Sequence, residues 1–152
     1  MIERRVRSIV ALGVCLAIPA CAPPTPTSAI VSNGQEDVVT AASKAALVAG
    51  RAGRPLHVLV VSVKLVDSDG VTGTAPGATF TWAQEDLDKI RWDAISEAEV
   101  VDLAAVHFDG LEGANGVSAW CNSSYGPTLA PRFCGQSVPR ATAAYRQAPA
   151  AK

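Results

Sequence analysis

The chain has 152 residues, of which 49% are apolar and 18% are charged, and its formal net charge is −1. This length predicts one domain of ordinary size. A net charge this close to zero excludes the basic surface that nucleic-acid binding requires, so we expect no nucleic-acid partner. The apolar fraction excludes disorder of the whole chain. No apolar run reaches the roughly 20 residues that would span a bilayer.

The first residues have the layout of a secretory signal peptide. Three arginines at positions 4, 5 and 7 precede the apolar run Ser8–Ala20. A positive start followed by a short apolar stretch is typical of segments that direct export. At 1.5 Å per residue the run covers only about 20 Å of helix, which is less than the roughly 30 Å of a hydrocarbon core. Residues 1–20 are therefore predicted to be a signal peptide.

The end of this leader resembles the lipobox of bacterial lipoprotein precursors. Ile18-Pro19-Ala20 places an aliphatic and a small residue before Cys21. The resemblance implies a diacylglyceryl thioether on Cys21 and an acylated amino group, and hence a membrane anchor. Because each buried methylene contributes about 0.8 kcal/mol, two or three acyl chains anchor a protein durably. Ordinary cleavage at Ala20-Cys21-Ala22, which would release a secreted protein, is the alternative.

Beyond the leader, the chain divides into a tether, a domain and a tail. Residues 21–34 begin with a proline-rich stretch that favours an extended spacer. Residues 35–135 contain the elements of a small globular domain. Residues 136–152 hold three bases and no acid, which predicts a disordered basic tail.

Cys121 and Cys134 predict a disulfide. If Cys21 is lipidated, these two are the cysteines left in the mature chain. Outside the cytoplasm such a pair most simply forms a bridge. A catalytic or metal-binding role is the alternative.

The pattern of the domain predicts an α+β fold, with a short antiparallel sheet, two to three helices, one disulfide and flexible termini. Helix-forming residues at 36–49 favour a first helix. Alternating apolar residues at 56–66 predict a strand, Asp67–Gly70 a hairpin turn, and 78–82 a second strand.

Two capping boxes predict further helices. A capping box needs Ser or Thr followed three residues later by Glu or Gln, and this spacing occurs at Thr81 with Gln84 and at Ser96 with Glu99. The apolar stripe after each box extends the predicted helices to Ala94 and Phe108. A last short strand is predicted at 117–121.

Charge is distributed unevenly. Residues 85–112 hold nine acids against two bases, whereas residues 113–152 hold four bases and no acid. A solvated acidic face is the simpler interpretation, and a docking surface is the alternative.

Two sets of residues are candidates for a site. His107, Asp109 and Glu112 supply nitrogen and oxygen ligands that suit a divalent ion, although one histidine with two carboxylates is a weak signal, and we predict no cofactor. Exposed Trp92, Trp120 and Tyr125 would suit stacking on a sugar ring or a partner protein, with core packing as the alternative.

Together these features predict a membrane-anchored protein of the bacterial cell envelope that faces the periplasm or the exterior. Its expected role is non-enzymatic, either structural or in protein interaction. The expected partners are the membrane, through the lipid anchor, and an envelope protein or peptidoglycan. Binding of peptidoglycan or another saccharide through the aromatic residues is the first alternative. A small metal-dependent hydrolase is the second.

Overall fold

The computed structural model describes residues 28–32 and 37–148. The predicted signal peptide 1–20, the lipidation site Cys21 and the first part of the tether lie outside the described residues, as do residues 149–152 of the predicted tail.

Ten elements follow one another in the described part of the chain. They are β1 (Ser28–Ser32), α1 (Val38–Arg51), β2 (Val58–Val66), β3 (Thr72–Thr81), α2 (Gln84–Leu87), α3 (Glu97–Asp102), β4 (Ala105–Phe108), α4 (Leu111–Cys121), α5 (Gly126–Leu129) and α6 (Pro131–Gln147). The predicted α+β class is confirmed. Three helices, α1, α4 and α6, exceed ten residues, and the other three have only four to six residues.

The strands form one sheet in the order β1-β2-β3-β4. The β2–β3 and β3–β4 pairs are antiparallel, whereas β1 runs parallel to β2 after the crossover through α1. One face of the sheet packs against helices, with Leu59, Val61 and Phe80 fully buried against Val39 of α1 and Phe133 of α6. The opposite face presents exposed residues of β4, as is common for antiparallel sheets.

The first predicted helix and the hairpin are confirmed. Helix α1 is capped by Asp37, whose carboxylate accepts a hydrogen bond from the Thr40 backbone N–H at 2.8 Å. In the hairpin, the Asp67 carboxylate accepts from the backbone N–H of Asp69 and of Val71. Gly70 follows with φ +78°, a left-handed conformation that glycine adopts without steric cost. This turn joins β2 to β3 in antiparallel register.

The Thr81 capping box does not start a helix. Thr81 ends β3, and α2 begins at Gln84 without a side-chain cap. Trp82 explains the difference, because its backbone N–H donates to the His57 carbonyl and its buried indole N–H donates to the Val100 carbonyl at 2.9 Å. These long-range bonds hold the chain extended past Thr81. The predicted helix to Ala94 is therefore reduced to one short turn.

The second capping box is confirmed, but its helix is shorter than predicted. Ser96 accepts from the Glu99 backbone N–H, and the Glu99 carboxylate accepts from the Ser96 backbone N–H at 2.8 Å. Helix α3 ends at Asp102, and the segment predicted to continue it becomes strand β4. Val106 is buried opposite Phe80 of β3, so pairing with the sheet determines its conformation.

Three further predictions are wrong. Residues 117–121 belong to helix α4, which buries Val117, Trp120 and Cys121 and packs closely against β3, since a Cβ added at Gly113 would lie 1.9 Å from the Gly77 carbonyl oxygen. The predicted disordered tail is helical to Gln147, since α6 buries a face that begins at Phe133 and Cys134. Part of the predicted tether, residues 28–32, forms strand β1.

Candidate functional site

The disulfide between Cys121 and Cys134 is confirmed. Cys121 ends α4 and Cys134 lies in the first turn of α6, with their Cα atoms 5.3 Å apart. Both residues are buried. The bridge closes the loop that contains α5, and so holds this loop against the ends of two long helices.

Within this loop, a small hydrogen-bond network fixes the backbone around Tyr125. The Ser123 hydroxyl donates to the Trp120 carbonyl at 2.7 Å and accepts from the Gly126 backbone N–H at 3.1 Å. A Cβ on Gly126 would lie 2.2 Å from the Trp120 carbonyl oxygen, so only glycine permits this approach. Tyr125 is consequently held against Trp120, with ring centroids 6.1 Å apart and ring planes at 83°.

This aromatic pair lines a cleft of about 210 Å³ between four helices, which we call the aromatic cleft. Its described lining consists of Thr40 and Ser43 of α1, Glu97, Ala98 and Val101 of α3, Trp120 of α4, Tyr125, and Leu129 of α5. The structure thus brings together two of the three aromatic residues predicted from the sequence.

The two rings of the cleft differ in exposure. Trp120 is only 8% exposed and packs edge-on against Phe133, so much of its ring serves the core. Tyr125 is 51% exposed. Of the two aromatic residues in the cleft, Tyr125 is therefore the one that presents a ring to solvent.

Trp92 lies elsewhere. Its ring covers Gly50, where an added Cβ would meet a ring carbon at 2.0 Å. Its backbone carbonyl accepts a hydrogen bond from the Arg51 guanidinium at 3.0 Å. The ring is half-buried and packs against the core cluster, as in the core-packing alternative.

Glu97 is the formally charged residue among those described in the lining of the aromatic cleft. It makes no hydrogen bond or ion pair with the described residues. Its neighbour Glu99 differs, because the Ser96 backbone N–H and hydroxyl both donate to the Glu99 carboxylate and lower its pKa. The Asp102 carboxylate also has a structural partner, the Phe133 backbone N–H at 3.0 Å.

The predicted metal candidates are only partly brought together. His107 Nε2 lies 3.8 Å from Asp109 Oδ1, and the Thr79 hydroxyl donates to Asp109 Oδ2 at 2.7 Å. Glu112, on α4, instead faces Tyr145, whose pKa is raised by burial and by the Glu112 charge. In the ranges 28–32 and 37–148, no three His, Cys, Asp or Glu side chains form a group that could hold a metal ion.

A larger groove of about 660 Å³ lies along α1, but its chemistry is less specific. Alanines and exposed Val48 form much of its described lining, with Lys44 and Arg54 at its rim. The aromatic cleft combines a carboxylate, hydroxyls and two aromatic rings in a smaller space. We therefore take the aromatic cleft as the candidate site.

Sequence reasoning identified the aromatic residues of the cleft but missed Glu97 and the α1 hydroxyls of Thr40 and Ser43. The available signal was the second capping box, which places Glu97 at the first helical position after Ser96. Nothing in the local sequence indicates that α1 and α3 pack side by side. Comparisons of the chain with protein-family models, curated protein sequences and solved structures found no match.

None of the helices in the described part of the chain is both long enough and apolar enough to cross a membrane.

Proposed function

We propose that this chain is an exported bacterial lipoprotein, anchored by lipid on Cys21, whose domain binds a partner in the cell envelope. The observation that supports export is the Cys121–Cys134 disulfide. Disulfides form and persist outside the reducing cytoplasm. The bridge therefore agrees with a leader of the kind that directs export.

The distance from the proposed anchor to the domain supports a role at the membrane surface. Seven residue steps separate Cys21 from Ser28, the first residue of β1. A chain covers at most about 3.5 Å per step, so β1 begins within about 25 Å of the anchor whatever the conformation between them. A domain held this close to a membrane meets components fixed at that membrane more often than it meets molecules that diffuse freely in solution.

The aromatic cleft supports a binding role for the domain. Binding sites combine apolar and aromatic walls with a few polar groups, and this composition is found between α1, α3, α4 and α5. The three nearby carboxylates of Asp37, Glu99 and Asp102 accept hydrogen bonds that stabilise helix ends or interhelical packing. Glu97 is left as the acid available to a ligand.

Metabolic labelling with palmitate tests the lipid anchor. The wild-type chain and a Cys15→Ser variant should incorporate label, because Cys15 lies inside the leader, whereas Cys21→Ser should lose it. Label that persists in Cys21→Ser would refute the anchor and leave the secreted alternative.

Binding of peptidoglycan or another saccharide is the second candidate, favoured by the contact between Trp120 and Tyr125. Co-sedimentation with insoluble peptidoglycan tests it. Tyr125→Ala should reduce retention, whereas Tyr145→Ala, which removes the chain's other tyrosine from α6, should not. Equal retention of the wild type and Tyr125→Ala counts against the aromatic site.

A further inference from the structure

Glu97 contributes to the aromatic cleft a carboxylate that no described residue engages. Glu97 is half-buried in the lining of the aromatic cleft and makes no hydrogen bond or ion pair with the described residues. Its oxygens are therefore available to pair with a cationic ligand, and such a pair is stronger at the wall of a cleft than in bulk water.

The two aromatic rings of the cleft favour the same kind of ligand. Trp120 and Tyr125 both line the cleft and meet nearly at right angles, and Tyr125 presents the more exposed ring of the two. Aromatic rings attract cations through the negative potential of their faces, and quaternary ammonium groups are commonly bound in this way. Leu129 adds an exposed apolar side chain to the same lining, which suits the methyl or methylene groups of an organic cation.

Charge and size agree with this chemistry. Glu97 belongs to the segment 85–112, which holds nine acids against two bases. Clefts in regions of one charge sign concentrate the oppositely charged ligand. The volume of about 210 Å³ lies below the roughly 300–1,000 Å³ typical of sites for drug-sized molecules, so one small group suffices to fill it.

We propose that the aromatic cleft binds an organic ammonium group, with Glu97 as its counter-ion and Tyr125 and Trp120 as its aromatic walls. This inference rests on the binding role proposed for the domain, but it does not depend on the lipid anchor. Both a choline-type headgroup and the primary amine of a peptide side chain carry this chemistry.

Titration of the whole oxidised chain in a non-ionic detergent tests the proposal. Choline chloride probes the headgroup source, and acetyl-lysine amide probes the peptide source. Dimethylbutanol, the neutral carbon isostere of choline, and N-acetylglucosamine serve as the uncharged comparisons. The readout is the NMR shift of the Trp120 indole N–H, which reports directly on the cleft. We expect at least one ammonium probe to bind at millimolar concentration, and the uncharged compounds to bind more weakly.

Two variants with matched controls link the binding to the cleft. Glu97→Gln preserves shape and removes the charge, so it should weaken ammonium binding by about fivefold or more. Glu85→Gln removes one exposed acid in the first turn of α2 and should leave binding nearly unchanged. Tyr125→Ala should weaken binding as well, in contrast to Tyr145→Ala.

Three outcomes would overturn the proposal: neither ammonium probe binds, an uncharged compound binds as tightly as the ammonium probes, or Glu97→Gln binds as well as the wild type. Because Glu97→Gln is isosteric and needs no repacking, its result stands even if Tyr125→Ala fails to fold. Preferential binding of N-acetylglucosamine would favour a saccharide site instead. Palmitate labelling gives an independent answer about the anchor.

Discussion

Breaking the Cys121–Cys134 disulfide is expected to destabilise the domain strongly. The two cysteines are 13 residues apart in sequence, and both are buried where α4 ends and α6 begins. In the chain-entropy account, a cross-link closing a loop of this length removes conformational freedom from the unfolded chain and stabilises the fold by about 3 kcal/mol. For a domain of this size, that corresponds to a decrease in Tm of about 10–15 °C.

Urea denaturation followed by tryptophan fluorescence measures this effect. Oxidised protein, protein reduced under mild conditions, and the Cys121→Ala/Cys134→Ala double variant should be compared. The reduced protein retains both sulfur atoms, so its difference from the oxidised protein isolates the cross-link. The double variant additionally loses buried volume and should be the least stable of the three.

A second readout connects the bridge to the aromatic cleft. The bridge restrains the loop that holds Tyr125 against Trp120, so reduction should increase hydrogen exchange in residues 122–130 before the remainder of the domain is affected. Equal denaturation midpoints for the oxidised and reduced proteins, with the bridge verified by mass, would refute the reasoning. The loop would then be held by packing and hydrogen bonds alone.

Two further predictions test local packing and capping. Gly113→Ala should destabilise the domain by roughly 2–3 kcal/mol, because its Cβ would lie 1.9 Å from the Gly77 carbonyl oxygen. Gly135→Ala is the control: a Cβ there would have no atom within 4 Å, so the substitution should stabilise α6 by about 0.5–1 kcal/mol. Equal changes in the free energy of unfolding for the two variants, measured by thermal unfolding, would contradict this reasoning. Ser96→Ala should cost about 1 kcal/mol. It should raise the lowered pKa of Glu99 only part of the way towards 4.5, because the Ser96 backbone N–H, the larger cause of the lowering, still donates while the hydroxyl is lost. Because the pKa of Glu99 is lower in the folded state than in the unfolded state, its contribution to stability is present above pH 4.5 and is lost as the pH falls through the folded-state pKa. If the Glu99 carboxyl titrates identically in the wild type and in Ser96→Ala by NMR, the Ser96 hydroxyl does not lower this pKa.

The features that could be predicted from the sequence depend on interactions between residues close in the chain. The Asp67–Gly70 turn and the Ser96 capping box are each completed within four residues. Predicting the disulfide required only the expectation of export, drawn from the leader, and a count of the cysteines. In such cases the local sequence contains nearly all the atoms that determine the structure.

The wrong predictions have distant causes. Thr81 has the spacing of a cap, but the Trp82 indole bonds to Val100, which is 18 residues away. Val106 lies in a segment with helical spacing, yet its pairing with Phe80 makes it part of a strand. Short apolar segments suit both a helix and a strand, so their partner determines which one forms.

Helix α6 was missed for a different reason. Its buried face continues from Phe133 through Ser137 and Ala141, at i, i+4 and i+8, so two of these three positions hold small residues. Hydropathy gives little weight to such a face, although small residues allow close packing against α4. The same difficulty concealed the cleft, since Glu97 becomes a site residue only when α3 packs against α1 and α5, near Trp120 of α4.

Close backbone approach explains how a chain rich in alanine and glycine forms a stable core. At six described glycines an added Cβ would lie within 3 Å of a neighbouring segment: Gly50 at Trp92, Gly77 at Val61, Gly110 at Pro76, Gly113 at Gly77, Gly116 at Val38, and Gly126 at Trp120. Packing density rather than side-chain size therefore supplies much of the buried contact area. One of these glycines, Gly50, lies against the ring of Trp92, and tryptophan has a large apolar surface to bury. Gly126 lies inside the disulfide loop and packs against the Trp120 backbone just before it, so this close approach also holds Tyr125 at the aromatic cleft. A ligand at Tyr125 should therefore stabilise the oxidised domain more than the reduced one.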